Sequence, residues 1–388
     1  MFKIFSMDGM ARAGVLKTAH GSVETPFLMP VATKGTVKYI TPTMLDALGN
    51  KAIISNALIL SQNPGDEFIK KVGGLHKFIG YDKTIFTDSG GFQMIRDSFY
   101  IKTTDDGVVF KNPVSKNKRF LLTPEHTIAI QENLGSDVMM VLDDHNKYGL
   151  HKEHHAKAVE RTYHWGLRCF QSRTDKKKQL FGIVQGGTFP DLRQSSAQLT
   201  ISIPFDGYAL GGLGIGESDQ ELEKMVDLCT AILPADKPRY AMGIGKPLQI
   251  LEAVSLGLDC FDSIYPTQTA RHNSLFTHSG VIDIKKPKYQ YDVSALDEGC
   301  RCYTCTHFTR AFICHLVRTD EKIALVYKTI HNVHFMQQFM TDIRTAIAEK
   351  RFSAFKKEFV RKWKSGKGEN VVEEDTFLTT VKKISKTS

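Results

Sequence analysis

The chain has 388 residues, 41% of them apolar, enough for one large core or for two domains. Its 51 basic and 42 acidic residues leave a formal charge of +9, too modest by itself to name a partner. No run of about 18 or more uninterrupted apolar residues occurs, and the opening stretch MFKIFSMDGMARAG lacks a long apolar core with a cleavage site, so neither a membrane helix nor a signal peptide is expected and the cytoplasm is the expected compartment.

Short apolar runs alternate with helical patterns along the chain. Strands are predicted at 52–60, 84–87, 137–142, 180–184, 207–210, 239–244 and 258–262, and helices at 124–134, 152–172, 189–203, 217–232 and 247–256. The strands are continuously apolar rather than alternating, as strands covered on both faces are. Thr123-Pro124-Glu125 and Glu217-Ser218-Asp219 read as helix starts. This order predicts a parallel sheet covered by helices.

The residues that end the strands carry more information. The run at 84–87 stops on Asp88, and 137–142 on Asp143 and Asp144. Gln185-Gly186-Gly187 follows 180–184, and Gly211-Gly212 follows 207–210. Gly245 and Lys246 follow 239–244, and the last run ends on Asp262. Turn chemistry explains one or two such endings. Six suggest a closed α/β fold, a (β/α)8 TIM barrel, in which all strand C-termini meet on one functional face. An open doubly wound sheet is the alternative. One barrel domain is expected over 1–365, with an excursion at about 283–335 and a polar, mobile tail at 366–388.

Of seven cysteines, three fall in Cys300-Arg301-Cys302-Tyr303-Thr304-Cys305. An odd count in a reducing compartment argues against a disulfide framework. With His331 the three thiolates make a closed tetrahedral set suited to structural zinc, stapling the excursion. His307, His315 and His334 are rival fourth ligands on spacing alone. Near the C-terminus, Lys350, Arg351, Lys356, Lys357, Arg361, Lys362, Lys364 and Lys367 interleave with Phe352, Phe355, Phe359 and Trp363. That is an amphipathic helix with a solvated basic face, or a phosphate-binding surface.

Asp88 and Asp262 end different strands. Two aspartates facing one cleft can divide the breaking of a glycosidic bond: one attacks the sugar carbon and the other moves protons. A hydrolase then admits water; a transferase excludes it and admits another acceptor. Either aspartate alone reads equally well as a loop cap. Asp143 and Gln185 suit the donor and acceptor edge of a purine, and glycines at 211–212 let backbone N–H groups approach its carbonyl. Phe92 and Met242 could sandwich a flat ring.

The segments TDSGGFQ, GIVQGG, FDGYALGGLGIGE, YAMGIGKP, FDSIYPT and CRCYTC…HN resemble the tRNA-guanine transglycosylases, also called queuine tRNA-ribosyltransferases, of the bacterial homodimeric type. The similarity runs from about residue 10 to about residue 360. It implies a zinc-containing barrel that replaces guanine at the first anticodon position of GUN-anticodon tRNAs with a 7-deazaguanine, preQ1 or the bulkier queuine. The resemblance makes Asp262 the nucleophile and Asp88 the general acid/base. Asp143 and Gln185 would read the base edge with Ser89 nearby, Gly212 would bind the carbonyl, Leu213 would face the substituent, and Phe92 and Met242 would stack. It gives Lys246 and Arg271 to tRNA and Cys300, Cys302, Cys305 and His331 to zinc. It matches Leu60, Phe308, Phe312 and His315 to an aromatic cluster between subunits.

The chain departs from that pattern in several places. Asn56-Ala57-Leu58-Ile59-Leu60 stands for the usual NTYHL, Phe92 for a common tyrosine, and His145 for a pocket cysteine. Gly214 and Ile215 alter the substituent side, and Pro266–Asn273 is one arginine short of the usual PTRxGRNG. The two catalytic aspartates and the zinc set are intact. PreQ1 is the favoured base. A non-catalytic partner subunit and a zinc-stapled RNA-binding module are the rival readings.

Overall fold

In the computed structural model, which describes residues 1–91, 100–111 and 119–365, eight parallel strands follow one another around a barrel. They are Phe27–Pro30, Ala52–Asn56, Thr84–Asp88, Val138–Met140, Gln179–Val184, Gly207–Leu210, Arg239–Ala241 and Cys260–Ser263. Each pairs with its neighbour in sequence, and Cys260–Ser263 pairs back onto Phe27–Pro30. A parallel bridge between Val31 and Ile54 joins the first two strands and closes the ring. The expected (β/α)8 architecture is therefore present.

The inside of the barrel is filled by side chains from alternate strands, as closed barrels of this size require. Phe27, Phe86, Phe181 and Tyr240 come from the first, third, fifth and seventh strands. The Phe86 ring lies edge-on to the other three at 5.9–6.1 Å. Gly207 leaves room for this layer, since a Cβ there would lie 2.5 Å from the Phe181 ring. The layer also sets what lies above it. Strand side chains alternate, so residues two beyond an inward aromatic also face inward. Asp88 is two beyond Phe86, and Gln185 is four beyond Phe181.

Two strand expectations change. The run at 52–60 is a strand only to Asn56 and continues as the helix Ala57–Gln62. Asn56 makes the break, its Oδ1 accepting from the Ile59 N–H at 2.8 Å. A largely apolar run does not distinguish a buried strand from a buried helix. The first barrel strand, Phe27–Pro30, is absent from the sequence-based set because it is four residues long and flanked by prolines.

The helix signals hold at their starts. Thr123 caps Pro124–Leu134 through the His126 N–H, and Ser218 caps Asp219–Ile232 in a reciprocal box with Glu221. Lys152–Ser172, Pro190–Ile201 and Pro247–Ser255 complete that set. The antiparallel sheet Phe2–Asp8, Ala11–Thr18 and Gly21–Thr25 lies across the strand N-termini, where Thr18 meets Thr84 and Gln179 bonds the Lys17 carbonyl.

After the last barrel strand come the helix Tyr265–Arg271, the hairpin Ser274–Thr277 and Gly280–Asp283, and the helices Tyr303–His307 and Arg310–Arg318. A second small core holds Leu275, Ile284, Leu296, Ile313 and Cys314. The long helix Ile323–Ala348 contributes Ala324 to this core and Phe335, Phe339 and Ile343 to the barrel's, so one rod spans both. The last helix, Phe352–Ser365, buries Phe352, Phe359 and Trp363 and exposes Lys357, Arg361 and Lys364. None of the described helices is long and apolar enough to cross a membrane. The tail at 366–388 lies outside the described residues.

Candidate active site

Asp88 and Asp262 stand at the C-terminal ends of the third and eighth strands and share the mouth of the barrel. Their partners differ. Asp88 Oδ2 accepts from Asn56 Nδ2 at 3.0 Å and Oδ1 from the Gly90 N–H at 3.1 Å. Asn56 is the register partner of Asp88 on the neighbouring strand, which is why its amide reaches. Asp262 Oδ1 accepts from the Tyr240 hydroxyl at 2.5 Å and from the Gly243 N–H at 2.8 Å. Burial, and then the charge on Asp262, push the Asp88 carboxyl up to about 7. Burial raises Asp262 as well, but Tyr240 and Gly243 donate to its charged form and oppose that rise. The Tyr240 phenol is driven well above its ordinary range by burial and by Asp262, so it stays a donor. Both carboxyls are raised by burial, and the charge on Asp262 adds to the rise of Asp88.

Asp143 and Gln185 lie beside this pair, both buried, with Gln185 Nε2 donating to Asp143 Oδ2 at 2.6 Å. Burial pushes Asp143 up to about 7. The surrounding glycines are cut to fit: a Cβ on Gly91 would lie 2.5 Å from Asp143 Oδ1, and one on Gly211 2.8 Å from Gln185 Nε2. Gly212 has φ +66, and a Cβ there would sit 2.5 Å from Gln185 Oε1. Ser89 is buried and its Oγ accepts from the Gly91 N–H at 3.2 Å. Leu213 is buried and Met242 half-buried along the same rim. His145 is half-buried with Nδ1 3.9 Å from Asp143 Oδ2; desolvation and the Arg193 charge lower it to about 4, so it is neutral at pH 7. Lys246 is exposed at the start of Pro247–Ser255, and Arg271 is half-buried at the end of Tyr265–Arg271. Phe92 lies outside the described residues.

Four supporting residues escaped the sequence reading. Besides Tyr240 and Asn56, the buried Arg193 donates to the carbonyls of Gly187 at 2.7 Å, Val184 at 3.0 Å and Gly212 at 3.3 Å. It ties together two of the glycine turns beside Gln185. Glu217 accepts from the backbone N–H groups of Gly214 and Ile215. Only Tyr240 left a signal, two positions before Met242 on a predicted strand and therefore on the same face.

The Cys300, Cys302, Cys305 and His331 side chains converge into a group that could hold a metal ion. His331 Nδ1 lies 3.8, 3.6 and 3.3 Å from the three sulfurs in that order. His331 Nε2 is 2.7 Å from the Phe276 carbonyl, which accepts its hydrogen and leaves the Nδ1 lone pair facing the thiols. His334 meets Cys300 at 3.6 Å and stands outside that group of four. Of the subunit-contact set, Phe312 is exposed and packs against Phe308 at 5.0 Å, and His315 is exposed. Leu60, at 1% exposure, belongs to the barrel core instead.

Comparisons with known proteins give the family. A sequence profile described as TGT: Queuine tRNA-ribosyltransferase matches residues 8–365. A queuine tRNA-ribosyltransferase from Desulforamulus reducens is 41% identical over 356 residues, covering 92% of this chain and 96% of the relative. One from Bacillus subtilis is 42% identical over 354 residues, 91% of this chain and 93% of its own. One from Aquifex aeolicus is 42% identical over 376 residues, 94% and 99%. The chain belongs to the queuine tRNA-ribosyltransferase family and is a pentosyltransferase of the tRNA-guanine transglycosylase type.

Proposed function

We propose that the exchange passes through a covalent ribosyl-aspartate on Asp262, with Asp88 as the proton carrier, and that it replaces guanine at the wobble position of GUN-anticodon tRNAs. The observation that carries this reading is the pair of carboxylates at one barrel mouth: Asp262 is hydrogen-bonded to the Tyr240 hydroxyl and the Gly243 N–H, and Asp88 is pushed up to about 7 by burial and then by the charge on Asp262. An Asp262 oxygen attacks the ribose anomeric carbon. The bond to guanine N9 breaks, its electron pair stays on the base, and Asp88 supplies a proton to the leaving guanine. The incoming deazaguanine gives a proton to Asp88, its ring nitrogen attacks the same carbon, and the Asp262 carboxylate leaves. The nucleotide must leave the anticodon stack to reach the pocket.

Asp143, Gln185, Ser89, the Gly212 N–H and Leu213 bind the base in this reading, with Met242 and Phe92 against its faces. PreQ1 is the incoming base we favour, over queuine. Lys246 and Arg271 meet the tRNA backbone. Three thiolates and an imidazole are the donor set of structural zinc, so Cys300, Cys302, Cys305 and His331 hold Zn2+ and brace the excursion at 283–335 against the 1–365 barrel. Two chains pair in the cytoplasm through Phe308, Phe312 and His315.

The test is Asp262→Asn with substrate tRNA and labelled bases. Loss of guanine exchange by on the order of a thousandfold or more, with tRNA binding retained, is expected. A covalent RNA adduct that maps to position 262 in the wild type supports the intermediate, and persistent exchange by the variant overturns it. Labelled preQ1 and queuine offered separately decide the base; uptake of queuine alone reverses that part.

A further inference from the structure

A second convergence of ligand side chains lies at the opposite end of the barrel. Asp137 immediately precedes the fourth strand, and its side chain is fully buried. His20 lies on the turn between Ala11–Thr18 and Gly21–Thr25, and His76 on the helix Leu75–Ile79. His20 Nδ1 is 2.8 Å from Asp137 Oδ1, and His76 Nε2 is 3.1 Å from Asp137 Oδ2. All three ligand atoms lie within 4.8 Å of one another. We propose that His20, His76 and Asp137 form a second metal site of the chain, taking a divalent transition-metal cation such as Zn2+.

The donor chemistry fits. Two imidazoles and a carboxylate are borderline-soft ligands suited to zinc, cobalt or nickel rather than to calcium or magnesium. Ligands arranged tetrahedrally about zinc at about 2.0–2.1 Å lie roughly 3.3 Å apart, close to the nitrogen–oxygen separations here. The carboxylate is oriented from behind, because Oδ2 accepts from the Ile85 N–H at 2.9 Å and Oδ1 from the His20 N–H at 3.2 Å. Such outer hydrogen bonds hold a metal-binding carboxylate in place. The His20 side chain is 40% exposed, which opens a path for the ion and a position for water.

The two rings stack at 3.5 Å with 19° between their planes. Near-parallel rings cannot aim both lone pairs at one point, so one ring turns when the ion enters. His20, on the exposed turn, is the ring that can. An ion here would clamp the N-terminal sheet and the helix Leu75–Ile79 to the floor of the barrel, which makes the site one of stability rather than of base exchange.

The experiment titrates Zn2+ into the protein with its Cys300–His331 site already loaded, near neutral pH, by calorimetry and by metal counting. One further equivalent is expected in the wild type. His20→Gln and His76→Gln should each weaken it by about tenfold or more while the first equivalent stays. The melting temperature should rise with Zn2+ in the wild type and not in the variants, all three retaining base exchange as proof of folding. No further equivalent at a large excess of Zn2+ would mean that the trio is only a hydrogen-bonded clamp. A further equivalent that survives both substitutions would mean that the ion binds elsewhere. Either result overturns the proposal.

Discussion

Asp88 sits between opposed influences. Burial and Asp262 disfavour its charge, while Asn56 and the Gly90 N–H favour it, and burial prevails. The sign of the consequence follows from proton counting. With the carboxyl moved from 3.8 unfolded to about 7 folded, the native state binds more protons than the unfolded chain between those values. Stability from this group is therefore full below the unfolded value and lost as pH rises through the folded one. Asp88→Asn removes that loss and keeps an acceptor for Asn56. We expect the variant to melt above the wild type in mildly alkaline buffer and the gap to close in acid, as thermal denaturation across pH would show. Exchange activity should fall by about a hundred- to ten-thousandfold. A variant that melts lower at every pH would contradict the cost assigned to ionising this carboxyl. At this scale the sequence was informative where a residue ends a strand, as Asp88, Asp143, Gln185 and Asp262 do. It was silent on Asn56 and Arg193, whose roles depend on cross-strand register and on turns brought together only by closure of the barrel.

Elements carry the metal cluster. Cys300, Cys302 and Cys305 come from a loop and the short helix Tyr303–His307, whereas His331 comes from the long helix Ile323–Ala348. The second core around Leu275 and Ile313 is small, so a metal held between loop and helix would supply much of what holds this segment. Chelation, or Cys302→Ser, is expected to release the bound metal, lower the melting temperature and make the 283–322 segment sensitive to protease. Limited proteolysis with mass mapping checks this, and an excursion that stays protected without metal would count against it. The helix starts at Thr123 and Ser218 were legible because capping is local chemistry. The split of 52–60 was not, because apolar residues dominate both halves and only the Asn56 cap ends the strand.

Across the whole molecule, the exposed Lys246 and the half-buried Arg271 follow the seventh and eighth strands at the C-terminal mouth of the barrel. If they meet phosphates, tRNA affinity should fall steeply with salt, and Lys246→Ala should weaken binding and flatten the log–log salt slope by roughly one unit. Filter binding over a salt series measures both. An unchanged slope would remove Lys246 from the RNA contact.

By itself the sequence determined the alternation of buried strands and helices, the residues that end those strands, and the thiolate cluster. All three follow from local patterning and spacing. Only the tertiary structure decided that Phe27–Pro30 completes the ring, that Tyr240 reaches Asp262, and that His20 and His76 meet across Asp137. Such contacts join residues far apart in the chain, Phe27 to Cys260 across the closing strands and His20 to Asp137 among them, and their geometry comes from barrel closure and register rather than from any property of a neighbouring residue in the chain.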